Sequence, residues 1–302
     1  MSPDDALAHR ARCDALRVRA RTQPVKPFVA VEHRRFGDAR SFFDALAAAC
    51  ASDADFVDGV VFGADSMVLN IAGFVDDVRA VSDYTDEQIY YRSLRERELD
   101  HLRTRDYLWR WDTDWFWCSA NVGAQNPVVR RLLGRDRLNS RTYTRLMRLN
   151  SRLGLTAWFD RARGWHRESV IQDVDIPLPR ASEFLDFYLR EIGILPMWIC
   201  PIGATVDAQR FTLFPRRREA YVNFGFWDVK RTREPHPPGF FNRLIERQVT
   251  ALGGIKSLYS DSWFERDEFE RAYGGATWRQ LKARYDPDGR LGDLYAKCVL
   301  RQ

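Results

Sequence analysis

Phosphate-binding glycine loops are missing from this sequence. Neither GxGxxG nor GxxxxGK[ST] occurs in the 302 residues, so there is no dinucleotide fingerprint and no P-loop. HExxH, GxSxG and a DxDxDG calcium loop are absent as well, which leaves metalloprotease, serine-hydrolase and EF-hand chemistry unsupported. The five histidines, at 9, 33, 101, 166 and 236, are too dispersed for their spacing to suggest a metal site. The five cysteines, at 13, 50, 118, 200 and 298, are odd in number and form no CxxC pair. That pattern fits a reducing compartment and argues against a disulfide framework or zinc site. No run approaches the roughly 18 apolar residues of a membrane span. Met1 is followed by Ser-Pro-Asp-Asp, so no signal peptide is expected and the expected location is cytoplasmic. Lysine is scarce, at five of the 47 basic residues.

What is present is a globular composition, 45% apolar and 29% charged, with ten tryptophans. The net charge is +5. An arginine-rich genome explains it first. An anionic partner, either a phosphate-bearing cofactor or a membrane surface touched peripherally, is the second reading. No basic stripe with interleaved aromatics argues for nucleic acid.

Hydrophobic periodicity predicts a repeated rhythm. Residues 26–32 read as a strand, and Asp38 can cap a helix through about 52 with Phe42, Phe43 and Leu46 at helical spacing. Residues 56–62 and 67–75 read as strands around the Gly63-Ala64-Asp65-Ser66 turn. A second copy follows: a strand over 169–177, a helix over 180–192, strands over 196–202 and 219–227, and a helix over 237–252. Two β-α-β-β units predict an α+β fold, ferredoxin-like, with an antiparallel sheet, helices on one face and a helical C-terminal segment. Between the copies, 85–103 reads as a charged helix and 130–163 as arginine-rich and helical. Residues 4–21 offer another helix without a clear apolar face. A short strand over 255–259 and helices over 266–273 and 277–284 close the chain.

Several residues stand out. Trp109, Trp111, Trp115 and Trp117 alternate in a way that would put all four on one face of an extended segment. They form either a core cluster or the apolar wall of a substrate pocket. Gln172 and Asp173 interrupt an apolar strand, where they make either structural hydrogen bonds or a ligand contact. Trp198 and Cys200 share a strand face, and nothing basic near Cys200 in sequence would activate it. Arg216-Arg217-Arg218 reads as a solvated charge run, with an anion contact as the minor alternative.

Certain motifs carry a resemblance. They are Arg105-Asp106-Tyr107 with Trp111-Asp112-Thr113-Asp114-Trp115-Phe116-Trp117, then Asn126-Pro127 with Arg130, Leu133 and Gly134. Val170-Ile171-Gln172-Asp173-Val174 with Pro177 and Pro196-Met197-Trp198-Ile199-Cys200-Pro201 continue the series. Leu258-Tyr259-Ser260-Asp261-Ser262-Trp263 with Glu268-Phe269, and Leu281-Lys282-Ala283-Arg284-Tyr285, complete it. In this order, over 26–298, they resemble the diminuto/seladin-type sterol side-chain reductases, flavoproteins of the vanillyl-alcohol-oxidase type. The likeness begins after the FAD domain of that family.

The resemblance implies an N-terminal remnant over 1–25, a cap or substrate domain over 26–254, and a flavin-docking segment over 255–302. It implies FAD, held chiefly by a separately encoded or missing domain, and NADPH as a candidate electron donor. It implies hydride transfer to a hydrophobic, sterol- or lipid-like substrate, with C=C reduction foremost. Candidate proton donors are Asp112 and Asp114, which are otherwise solvated or paired with nearby arginines, and Tyr259, with Tyr107 and Tyr221 as competitors. Candidate flavin contacts are Gln172, Tyr259, Ser260 and Asp261. Candidate substrate contacts are Trp111, Trp115, Trp117, Gln172, Trp198 and Tyr221. A non-catalytic hydrophobic-ligand module, or an inactive fragment, is the alternative.

Overall fold

Alternating apolar and polar side chains, stabilised by pairing across strands, build a single antiparallel sheet. The computed structural model describes residues 22, 24–85, 88–203 and 219–302. The predicted helix over 4–21 and Arg216-Arg217-Arg218 lie outside them. The described strands are β1 (Phe28–Phe36), β2 (Phe56–Gly63), β3 (Ser66–Val75), β4 (Leu99–Arg103), β5 (His166–Pro177), β6 (Met197–Ile202), β7 (Tyr221–Thr232) and β8 (Ile255–Lys256). They stand in the order β4-β1-β3-β2-β6-β7-β5-β8, each pair antiparallel. This order is one arrangement used twice. β1-β3-β2 in the first β-α-β-β unit matches β5-β7-β6 in the second, and the β2–β6 pairing joins them back to back. The fold is α+β, as the periodicity predicts.

The principal helices are α1 (Ala39–Cys50), α2 (Pro127–Leu133), α3 (Ser140–Leu153), α4 (Leu155–Ala162), α5 (Ala181–Glu191), α6 (Phe240–Ala251), α7 (Arg266–Ala272) and α8 (Gly275–Tyr285). Asp38 caps α1 by accepting from the Ser41 amide, as expected. Helices α1, α5 and α6 cover one face of the sheet. Phe42, Phe43, Leu46, Phe184, Tyr188, Ile245 and Val249 interlock there with Leu69, Val174, Ile199, Phe224 and Phe226. Gly59 permits the close approach of α1, because a Cβ there would lie 2.7 Å from the Phe42 ring. Burying each such phenylalanine stabilises the fold by about 1.5–3 kcal/mol.

The second face is covered differently. Tyr84, Tyr90, Tyr91, Leu94, Tyr107 and Trp117 pack on Val29, Val31, Val60, Val68 and Leu102. Two expectations fail here. The charged stretch 85–103 is not one helix: it makes a single turn at Tyr90–Ser93 and then β4 on the free edge of β1. Asp100 and Leu102 point inward, while Leu99 and His101 are more exposed, which is strand alternation inside a charge run. The tryptophan segment is not extended either. After the turn Thr104–Leu108, the Phe116 amide donates back to the Trp111 carbonyl at 2.9 Å. Trp115 and Phe116 take left-handed φ values of 42° and 62°. That conformation costs about 1–2 kcal/mol per residue. Stacking of Phe116 on Trp111 at 4.7 Å and its edge contact with Trp227 at 4.9 Å help offset the cost.

The C-terminal stretch docks on the second half of the sheet. β8 pairs with β5, and Ile255 joins Phe264, Phe269 and Tyr273 in a separate cluster. Lys256, fully buried, donates to Glu246 of α6 at 3.0 Å and to Ser262 Oγ at 3.0 Å. Burial drives both partners toward neutrality, lowering the lysine pKa and raising that of the carboxyl.

Candidate functional site

The middle of the second face carries polar side chains that strand alternation places in a row. On β1 and β3, His33 pairs with Asn70 in register, at 2.8 Å from Nδ1 to Oδ1. Asn70 donates to Asp58 of β2 at 2.5 Å, and Arg110 closes the chain on the other Asp58 oxygen at 2.5 Å. One step past the Gly59–Ile199 pair stands Cys200 of β6. Cys200 pairs in register with Asn223 of β7, which donates to Asp175 of β5 at 2.8 Å. The thiol of Cys200 is pushed up to about 11 by burial and by Asp58, Asp175 and Asp173 nearby, which disfavours the thiolate.

Next to this row, Gly225 lies between Trp198, Trp227 and Asp173. A Cβ at Gly225 would stand 2.8 Å from Asp173 Oδ1, 3.1 Å from the Trp227 ring and 3.5 Å from the Trp198 ring. Trp227 is held flat against Trp117, with centroids 5.0 Å apart and planes within 3°. Its indole N–H donates to the Cys118 sulfur at 3.0 Å. Two half-buried indoles and the Asp173 carboxyl thus close directly over Gly225, which is buried and has no room for a side chain. Burial raises the pKa of that carboxyl, and the Tyr259 hydroxyl beside it partly offsets the rise. The Tyr259 ring itself is exposed. Its hydroxyl is pushed above the usual phenol range by burial and by Asp173. An apolar surface, a carboxyl whose pKa burial raises and an adjacent phenol are groups that can contact an apolar molecule and exchange a proton with it.

The expected site residues divide. Trp111, Trp117, Trp198, Tyr221 and Tyr259 belong to the second face, Trp111 and Trp117 within its aromatic layer and Tyr221 buried on β7. The four tryptophans 109, 111, 115 and 117 do not share a face. Trp109 is 65% exposed, and Trp115 packs beside Tyr143 and Leu138. Gln172 is buried on the opposite, helix-covered face, where its amide donates to Asn242 of α6 at 2.5 Å. Alternation along β5 requires this, since Asp173 and Asp175 face the other way. Asp112 accepts from Ser140 Oγ at 2.5 Å. Asp114 accepts two bonds from the buried Arg130, at 2.7 and 3.0 Å, and one from Ser119 at 2.7 Å. Both carboxylates therefore tie the covering segment together, and neither contacts the Asp173 patch. Asp261 pairs with Arg301 at 3.1 Å, and the Ser260 hydroxyl is buried without a partner.

Asp58, Asn70, Arg110, Asp175, Asn223, Gly225 and Trp227 were not anticipated. The signal for two of them is in the sequence: an asparagine inside an apolar strand in each copy, Leu69-Asn70-Ile71 and Val222-Asn223-Phe224. A separate cleft of about 470 Å³ lies beside Tyr84, Trp109 and Asn139. Arg105, Arg110 and Arg135 on its wall are balanced by Asp106, Asp112 and Asp136, so no ligand charge is favoured.

The chain is similar in sequence to delta(24)-sterol reductases. Those of Rattus norvegicus and Mus musculus are each 23% identical to it over 256 residues, which is 80% of this chain and 47% of theirs. That of Homo sapiens is 22% identical over the same length. The chain spans about half the length of the curated relatives it matches. No family model matches. Among solved structures, a grass pollen allergen with glucose dehydrogenase activity, Phl p 4, aligns with 88% of this chain and 53% of its own at 13% identity and a TM-score of 0.39. A Bermuda grass group 4 isoallergen aligns with 88% of this chain and 54% of its own at 12% identity, also with a TM-score of 0.39.

Proposed function

We propose that this chain is the substrate-facing part of an FAD-dependent oxidoreductase that reduces a C=C bond in a hydrophobic, sterol- or lipid-like molecule. The observation that carries the reading is the Asp173–Tyr259 pair set beside a glycine between two indoles. The part-exposed indoles of Trp198 and Trp227, packed over Gly225, offer apolar surface beside that pair. Neither a GxGxxG loop nor a P-loop for the cofactor's diphosphate occurs in these 302 residues, which supports a second holder for it. FAD is accordingly held chiefly by a domain outside them, with NADPH as the proposed source of electrons. When bound, the flavin supplies hydride transfer.

The part left to this chain is positioning and the proton. Reduction of C=C places a hydride on one carbon and a proton on the other. Asp173, whose pKa burial raises, supplies that proton from its carboxyl group, with Tyr259 beside it to steady the carboxylate left behind. In the flavin-loaded enzyme, Asp173→Asn should lower kcat by about 10²–10⁴-fold. Tyr259→Phe should lower it less. Unchanged kcat in Asp173→Asn would refute the assignment.

A hydrophobic-ligand module without redox chemistry is the second reading, favoured by the missing phosphate loop. Saturable sterol binding by a chain that gives no flavin-dependent turnover with any FAD-binding partner would select it.

A further inference from the structure

The charge of the chain is concentrated in one place. Residues 140–163, the stretch containing α3 and α4, hold six arginines against Asp160 alone, a net of +5 equal to the formal charge of the whole chain. Asp160 is turned to the sheet, where it binds Arg231 at 3.1 Å and Arg167 at 3.5 Å. Arg141, Arg145, Arg148 and Arg152 recur at helical spacing along one exposed stripe of α3, and none has an acidic partner among the described residues. Adjacent to that stripe, Leu146, Leu149 and Leu153 are 39%, 53% and 60% exposed. On α4, Trp158 and Phe159 are 63% and 54% exposed and stacked edge to face at 5.0 Å. The buried side of α3 is narrow, with Tyr143 held by the Thr113 carbonyl.

From these features we infer that α3 and α4 form a docking surface for an anionic lipid membrane. Large apolar side chains bordered by unpaired arginines suit the boundary between headgroups and acyl chains. The leucines, Trp158 and Phe159 enter the boundary, and the guanidinium forks take lipid phosphates. Charge complementarity favours this occupant over a second copy of the chain, whose matching surface would repeat the same arginines. No helix among the described residues is long and apolar enough to cross a membrane, and the surface proposed here lies along the exposed side of two helices. The inference is independent of the oxidoreductase reading.

Vesicle sedimentation tests it with the full chain. Pelleting should be strong with phosphatidylcholine vesicles containing phosphatidylglycerol, weak with phosphatidylcholine alone, and reduced by added salt. The triple variant Arg145→Gln, Arg148→Gln, Arg152→Gln should lose about 100-fold in affinity, at roughly 1 kcal/mol per arginine. Trp158→Ser with Phe159→Ser should lose about tenfold or more. These positions are exposed, so the far-ultraviolet spectrum and melting transition should be preserved. Brominated acyl chains should quench the wild-type fluorescence more than that of Trp158→Phe, a variant that still binds. Three results would overturn the inference: no binding to anionic vesicles, equal binding by wild type and the arginine variant, or binding to a DNA duplex in preference to vesicles.

Discussion

The two β-α-β-β units share a topology and differ in what covers their second face. In the first, Asn70 bonds His33 on the outer strand, and in the second, Asn223 bonds Asp175 on the outer strand. These are equivalent pairs on equivalent strands. Over the first unit the aromatic layer seals the row, Arg110 neutralises Asp58, and burial keeps the pKa of His33 low. Over the second, that layer reaches only as far as Trp198 and Trp227, and Asp173, Cys200 and Asn223 remain half-buried. A duplicated scaffold thus seals one polar row and leaves the other half-covered, and the proposed site lies on the half-covered one. The deciding factor is the covering segment, not the sheet.

The largest effect should come from removing the covering segment's anchor. Asp114→Ala leaves Arg130 buried without its carboxylate and should cost about 3–5 kcal/mol of unfolding free energy in a denaturant titration. A loss below about 1 kcal/mol would mean the layer is held by something else. The asparagines separate the halves more finely. Asn70→Ala strips buried partners from His33 and Asp58 and should cost about 1–3 kcal/mol, whereas Asn223→Ala, in a half-buried setting, should cost about 0.5–1 kcal/mol. Equal costs would erase the distinction.

The smallest effect is a pH dependence. Burial raises the Asp173 pKa in the folded chain above its unfolded value. Folding therefore retains a proton there, and this contribution is full below the unfolded carboxylate pKa and lost as pH rises through the folded value. The melting temperature of the wild type should fall with pH across that window relative to Asp173→Asn, which has no such proton. Parallel curves would place Asp173 in water.

Much of this was legible in the residues. Period-two and period-3.6 patterns gave both units and the helix-covered face, and the Asp38 cap is a local device that needs no tertiary context. The site was less so. Four alternating tryptophans suggested a wall, but two left-handed residues in the middle of the run break the alternation, and nothing in Trp115 or Phe116 announces that backbone. Gln172 and Asp173 looked equivalent until the sheet fixed which of them faces α6. Asp112 and Asp114 stand in the sequence as either candidate proton donors or arginine partners, and the residues that hold them, Ser140 and Arg130, lie 28 and 16 residues away. Gly225 was unremarkable in sequence; its meaning comes from three neighbours on three strands.

One titration goes to the centre of the account. Tryptophan fluorescence of the chain is followed as a sterol is added, for wild type, Gly225→Leu and, as a control on the sealed side, Trp109→Phe. Leucine at 225 would collide with Asp173 and Trp227 and displace the indoles that form the proposed surface. The account predicts saturable quenching in the wild type and in Trp109→Phe, with affinity at least about tenfold weaker in Gly225→Leu. The same binding curve for Gly225→Leu as for wild type would show that the ligand sits elsewhere.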